Sequence, residues 1–322
     1  MAVRYYDWIA HFGRRTPHKV ALVDLASGRR FTYAEFNARV ARLAGHLRDA
    51  FKVGRGDRVA VLALNTTDTL EVQFACGRLG AVFLPLNTRL TVPELQYITG
   101  DASPIVMIHD DDLAEIAFEV AKLCNVRSTL TFGPGASYEA AIAAAKPLEK
   151  AEIVTLDDIS TIMYTSGTTG RPKGAMMNHR QTLRMYEEWA TLADLRRGDR
   201  YLMINPYFHT FGLKAGLVAS LLRGATMVPV PVFDVDTVVD LIEAERITML
   251  PGPPTLYYSL LGIADKSGLS TLRAGVTGAA DIPVDLVRRI HDELPFQTLM
   301  TGYGLTEAGT VMGTPAYMSP EQ

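Results

Sequence analysis

Cysteine is scarce in this chain of 322 residues: Cys76 and Cys124 are the whole supply. Two thiols make no disulfide framework, and no close His/Cys spacing accompanies them to suit a zinc site. Both sit in apolar, helix-like stretches and read as buried free thiols. Long apolar runs are missing as well. Nothing approaches the roughly 20 residues of a membrane span, and Met1-Ala2-Val3-Arg4-Tyr5-Tyr6-Asp7 lacks the apolar core of a secretory signal. Charge of one sign is also absent. A formal net charge of -3 sets up no field that would draw the whole chain to nucleic acid or an anionic membrane. The expected compartment is the cytoplasm, and any bound anion must be met by positive groups placed locally.

What is present is the composition of an ordinary globular protein, 48% hydrophobic and 21% charged. The length exceeds what one compact core usually carries, so two lobes are expected. Short apolar runs alternate with helical patterns. Val59 to Leu64 reads as a strand buried on both faces, the kind found in parallel sheets. A helical stretch from about Asp68 to Leu79 follows. Strand patterns then recur at Ala81 to Leu84, Ile105 to Ile108, Thr161 to Thr165, Tyr201 to Ile204, Ala225 to Val228, Ile247 to Leu250 and Thr298 to Met300. Thr32-Tyr33-Ala34-Glu35 and Thr91-Val92-Pro93-Glu94 fit the capping box, in which a hydroxyl and a carboxylate satisfy free backbone donors at a helix start. Asp281-Ile282-Pro283 opens another helix with proline in its first turn. The Ala-rich stretch from Gly133 to Leu156 is either a connection between lobes or one surface helix. The expectation is an α/β fold, two lobes of mainly parallel sheets flanked by helices. The lobes are placed at about 51–190 and 191–322, with 1–50 packing on the second.

The most informative segment is Tyr164-Thr165-Ser166-Gly167-Thr168-Thr169-Gly170-Arg171-Pro172-Lys173-Gly174. Hydroxyls, glycines and a lysine crowd into one turn after an apolar strand. Glycines let backbone N–H groups approach an anion, hydroxyls add donors, and Lys173 supplies a point charge suited to phosphate. The spacing of a Walker loop is absent, and Pro172 would disturb a helix starting there. Ala175-Met176-Met177 follows at once, so the turn is expected to join two strands.

This segment resembles the signature loop of the adenylate-forming enzymes, which include acyl-CoA ligases, peptide-synthetase adenylation domains and beetle luciferases. Their pattern Y-T-S-G-T-T-G-x-P-K-G is carried here without a departure. The resemblance implies that Thr165, Ser166, Gly167, Thr168, Thr169, Gly170 and Lys173 hold the β- and γ-phosphates of ATP. A second match is Thr301-Gly302-Tyr303-Gly304-Leu305-Thr306-Glu307. Tyr303 can stack on a flat base, and Glu307 offers a hard oxygen ligand for Mg²⁺. By resemblance Gly302, Tyr303 and Gly304 border adenine, Thr306 contacts the α-phosphate, and Glu307 binds the metal. Gly278, Ala279 and Ala280 are similar to the family's adenine-pocket segment, although Asp281 stands where a small or apolar residue is expected.

Asn205-Pro206-Tyr207-Phe208-His209-Thr210-Phe211-Gly212 resembles the P-x-F-H-x-x-G segment of acyl-CoA ligases. A lone histidine among aromatics is more often a packed core residue, but the resemblance makes His209 a catalytic candidate beside the reacting carboxylate. Peptide-synthetase domains usually place an aspartate near this region for the substrate's amino group. No acid lies between Pro206 and Gly212, so the resemblance favours a substrate acid without an α-amino group. The acyl tail is expected near Pro251 to Tyr258, because ligand pockets are mostly apolar.

Relatives of this kind continue past the second match with a ribose-binding aspartate, a β-rich lobe, a hinge and a mobile lid domain carrying a lysine. Nothing after Glu307 matches these. The resemblance therefore implies an incomplete large N-terminal domain over 1–322, with little or no turnover alone. The activity expected of the whole is an acid–thiol ligase that uses ATP, Mg²⁺ and CoA to make an acyl-adenylate and then a thioester. An enzyme loading a carrier protein or an amino acid, or a nucleotide-binding module without turnover, stays open beside it. A serine hydrolase is disfavoured because G-x-S-x-G is absent.

Overall fold

The structure is a computed structural model that describes residues 6–165, 171–278, 280–305 and 310–312. In chain order the elements are α1 (Trp8–Arg15), β1 (Val20–Val23), β2 (Arg30–Thr32), α2 (Tyr33–Phe51), β3 (Arg58–Leu62), α3 (Thr67–Leu79), β4 (Val82–Pro85), α4 (Val92–Ala102), β5 (Val106–Asp110), α5 (Ala114–Leu123), β6 (Ser128–Phe132), α6 (Ser137–Ala144), β7 (Ile159–Thr165) and β8 (Lys173–Asn178). There follow α7 (His179–Leu192), β9 (Arg200–Met203), a π-helix (Phe211–Val218), α8 (Ala219–Arg223), β10 (Thr226–Pro229), α9 (Val235–Ala244), β11 (Met249–Gly252), α10 (Pro254–Leu261), β12 (Ala274–Gly278), α11 (Val284–Glu293), β13 (Thr298–Leu305) and β14 (Thr310–Met312). Two compact units result, Met1–Val20 with Phe31–Thr182, and Ala21–Arg30 with Leu183–Gln322.

The first unit is built on a six-stranded sheet of order β6-β5-β3-β4-β7-β8. Its strands are parallel except for the antiparallel β7–β8 pair. The apolar run predicted as a strand is β3, and its residues from Val59 to Leu62 are buried, as a strand covered on both faces should be. Every residue of α3 is buried, charged ones included, so their partners must be internal. Arg39 of α2 supplies one set: its Nη2 donates to Glu71 Oε2 at 3.1 Å and to Glu139 Oε1 at 2.7 Å. Tyr138 of α6 donates to Glu71 Oε2 at 2.8 Å. Burial pulls the Arg39 pKa down, but the hydrogen bonds and charges of Glu139 and Glu71 outweigh it and hold the guanidinium charged. Arg78 is likewise held by Asp7 at 2.8 Å.

Both expected capping boxes are present, at Thr32 with Glu35 and at Thr91 with Glu94. The Ala-rich stretch takes the helical alternative as α6, and residues 133–156 lie within the first unit. The chain after α6 packs on α2: Leu148 N donates to Ala41 O at 2.8 Å, and a Cβ on Gly45 would sit 2.0 Å from Lys146 O. Cys76 is buried, and burial raises its pKa, keeping the thiol protonated. Cys124 departs from the expectation. It lies just past the end of α5, beyond that helix's buried face, and is only half-buried.

The second unit carries an eight-stranded sheet of order β14-β13-β12-β11-β9-β10-β1-β2. From β13 to β1 the pairing is parallel, and β14 closes the edge as an antiparallel hairpin with β13. Tyr257 of α10 ties two strands together, its hydroxyl donating to Leu250 O at 2.7 Å and lying 3.2 Å from Val276 O. Pro283 sits at the N-cap of α11, one position before the first turn, where its missing N–H costs nothing. Among the described residues no helix is long and apolar enough to cross a membrane.

Candidate functional site

In the first unit the hydroxyl- and glycine-rich turn joins β7 to β8, two strands as its sequence suggested. Thr165 ends β7 and Lys173 opens β8, and the two are register partners at the mouth of the hairpin. Lys173 is exposed and Thr165 half-buried. One pair further in, Tyr164 faces Gly174. A Cβ on Gly174 would come within 3.1 Å of Tyr164 Cζ, so the glycine leaves room for that ring to lie across the strand pair. Ser166, Gly167, Thr168, Thr169 and Gly170 lie outside the described residues.

In the second unit the other candidate segments follow one edge of one sheet. Because β9, β11, β12 and β13 are parallel, their carboxyl ends emerge together. Asn205 to His209 leave β9, Pro253 and Pro254 leave β11, and Gly278 ends β12. The strand order reverses between β9 and β11, since β10 lies on one side of β9 and β11 with β12 on the other. Open α/β sheets bind ligands at the carboxyl ends of strands beside such a reversal. Gly278 is the register partner of Gly302, and a Cβ on Gly278 would sit 2.3 Å from Gly302 O. Only glycine tolerates that backbone approach. Ala280 is exposed after β12.

The strand read at Thr298 to Met300 runs further than its apolar letters, to Leu305. The backbone of β13 continues through Gly302, Tyr303 and Gly304 to Leu305, because Tyr303 and Gly304 pair with Met312 and Val311 of β14. Ala279, Thr306 and Glu307 lie outside the described residues. Among those described, no cluster of three or more His, Cys, Asp or Glu side chains could hold a metal ion.

His209 is not a core residue; it is exposed. Phe211 N donates to its Nδ1 at 3.3 Å, which leaves Nε2 as the protonated nitrogen of the neutral ring. Desolvation by nearby protein lowers its pKa, an effect weakened by the solvent-facing side of the ring. The chain then folds back on itself: a Cβ on Gly212 would lie 2.2 Å from Pro206 O and 2.3 Å from Asn205 O. Gly212 thereby fits into the first turn of the π-helix, an element often found at functional positions.

That π-helix holds a residue the sequence reading passed over. Lys214 is fully buried, and burial pushes its pKa down to about 7. Its signal in the sequence was a single lysine inside the apolar run from Phe211 to Leu222. Asp110 was also passed over. Burial, with the charges of Asp68 and Asp112, pushes its pKa up to about 6 against an opposing bond from Leu64 N at 2.7 Å.

Two mainly parallel sheets with helical crossovers, a lysine-bearing hairpin and the close backbone pairing of Gly278 with Gly302 define an α/β class of protein. Comparison makes it specific. A sequence profile of the AMP-binding enzyme family matches residues 9–322, and the chain belongs to that family. It is 40% identical over 315 residues to a 3-[(3aS,4S,7aS)-7a-methyl-1,5-dioxo-octahydro-1H-inden-4-yl]propanoyl:CoA ligase of Mycobacterium tuberculosis, covering 94% of this chain and 61% of the relative. It is 39% identical to a feruloyl-CoA synthase of Amycolatopsis over 307 residues, with 94% and 59% covered. The chain thus spans about three fifths of the length of the curated relatives it matches. Among solved structures, ATP-bound MatB of Rhodopseudomonas palustris superposes with a TM-score of 0.85 at 31% identity, covering 97% of this chain and 62% of that one.

Proposed function

We propose that this chain is the nucleotide- and acid-binding part of an ATP-dependent acyl-CoA ligase, forming most of a large N-terminal domain. In the reaction, a carboxylate oxygen of the substrate attacks the α-phosphorus of ATP. The bond from that phosphorus to the bridging oxygen breaks, pyrophosphate leaves, and an acyl-adenylate forms. The CoA sulfur then attacks the acyl carbon and AMP departs. Charge spreads over phosphoryl oxygens throughout, so positioning and fixed donors carry the catalysis.

Lys173 and the turn from Thr165 to Gly170 are assigned to the polyphosphate. Gly278, Ala279 and Ala280 with Gly302, Tyr303 and Gly304 are assigned to the adenosine, Thr306 to the α-phosphate, and Glu307 to the Mg²⁺ that accompanies ATP. His209, with a proton on Nε2, can donate to a carboxylate or phosphate oxygen of the substrate. The absence of an acid from Pro206 to Gly212 favours an acid without an α-amino group, a fatty acid among them. The names of the relatives favour CoA as acceptor, and the cytoplasm is the proposed compartment.

The observation that carries this reading is the exposed Lys173 in register with Thr165 at the hairpin mouth. Lys173→Ala should weaken ATP about tenfold or more, the size of a charge-assisted contact, and leave AMP nearly unchanged in a nucleotide titration. Equal loss for both nucleotides would remove the polyphosphate assignment.

A further inference from the structure

The turn between Thr165 and Lys173 has a base, and that base is attached to one helix. Tyr164 OH donates to Asp101 Oδ2, on α4 and 63 residues earlier in the chain. On the other arm, the Arg171 guanidinium lies 5.9 Å from the ring centroid of Tyr97, also on α4. Tyr97 and Asp101 are four residues apart, so they share one face of the helix. The helix under them is well anchored. Thr91 and Glu94 cap its start, with Thr91 N donating to Glu94 at 2.8 Å, and Leu95, Ile98 and Ala102 are buried in the core of the first unit.

We propose that Asp101 and Tyr97 are positioning residues for nucleotide binding: they clamp the two arms of the β7–β8 hairpin to α4 and so set where Thr165 and Lys173 present their groups. This rests on the polyphosphate reading of the hairpin. Placement argues for it more than stability does. Asp101 and Arg171 are exposed, and Tyr97 is 38% exposed, so these contacts add little to folding. Yet the clamp grips the residue just before Thr165 and the one two places before Lys173. Gly174 contributes by leaving the Tyr164 ring free to reach across to α4. Burial and the neighbouring carboxylate raise the Tyr164 pKa, which keeps its hydroxyl a donor. A bare carboxylate beside a polyphosphate would repel it; Asp101 serves instead as the acceptor that fixes Tyr164.

The test is a double-mutant cycle on the chain, read by titration with ATP and with AMP, with thermal melting alongside. Asp101→Ala and Tyr164→Phe should each weaken ATP by about three- to tenfold, and the double variant should bind no worse than either single one. AMP affinity and melting temperature should stay unchanged. Asp101→Asn, which keeps an acceptor oxygen, should restore ATP affinity to within about twofold of the parent. Tyr97→Leu should give a smaller, ATP-selective loss. Multiplying losses in the double variant would overturn the clamp, as would tighter ATP binding by Asp101→Ala, the result expected if Asp101 acted through repulsion alone. Normal ATP binding in all of these variants while Lys173→Ala weakens it would sink the clamp and spare the polyphosphate reading. Normal ATP binding in Lys173→Ala would sink both.

Discussion

In the six-stranded sheet the strand order reverses between β3 and β5, and in the eight-stranded sheet it reverses between β9 and β11. At the first reversal the chain bridges its own strand ends, with Leu64 N donating to Asp110 Oδ2 at 2.7 Å. At the second, Asn205 and Pro206 lead to an exposed His209, and Gly212 folds back on their carbonyls to begin a π-helix containing Lys214. The first unit instead carries its candidate anion site on a hairpin added at the sheet edge. Parallel topology creates a reversal of strand order in both units. Local hydrogen bonding sets what each presents at its strand ends.

Gly212→Ala should break this contrast most severely. A methyl group there must displace two backbone carbonyls rather than a flexible side chain, so a loss of about 3 kcal/mol is expected in chemical denaturation. A loss below about 0.5 kcal/mol would mean that the fold-back adjusts freely.

Lys214 gives the next largest effect, and it depends on pH. Its folded pKa of about 7 lies below the usual 10.4 of a free lysine, so the unfolded chain binds the extra proton between those values. Stability should therefore rise with pH across that window, by up to about 1.4 kcal/mol per pH unit, and the gain is lost as pH falls through 7. In Lys214→Met this slope should vanish from pH-dependent unfolding curves. A slope that survives the substitution would assign it to another group.

Asp110 should show the smallest effect, with the opposite sign. Its pKa is raised to about 6, so its contribution is favourable below the ordinary carboxylate value and is lost as pH rises through 6. Asp110→Asn keeps an acceptor for Leu64 N and removes the disfavoured charge. It should stabilise the protein at pH 7 by about 1 kcal/mol or less and flatten the curve between about pH 4 and 6. Destabilisation at pH 7 would show that the ionised carboxylate makes the bridge.

Much of this organisation was legible from short stretches of chain. The run at Val59 announced a doubly covered strand, and the boxes at Thr32 and Thr91 announced helix starts. Pro172 and the apolar residues after Gly174 marked the turn as a hairpin rather than a Walker loop. Other features were hidden because their causes lie far along the chain. The strand pattern at Thr298 to Met300 gave no sign that the strand runs on through Gly302 and Gly304, where β14 supplies pairing partners. His209, alone among aromatics, read locally as a packed core residue, yet the structure leaves it exposed. Tyr97 and Asp101 carried no local mark of a tie to Tyr164 and Arg171.

By itself the sequence determined what depends on nearest neighbours: strand and helix periodicity, the caps, and the crowding of hydroxyls, glycines and a lysine into one turn. The tertiary structure alone decided the setting of each group. Whether Lys214 is charged, which nitrogen of His209 holds its proton, and what grips the arms of the hairpin all depend on atoms brought close by folding. Desolvation and hydrogen bonding act over a few ångströms of space, whatever the distance along the chain.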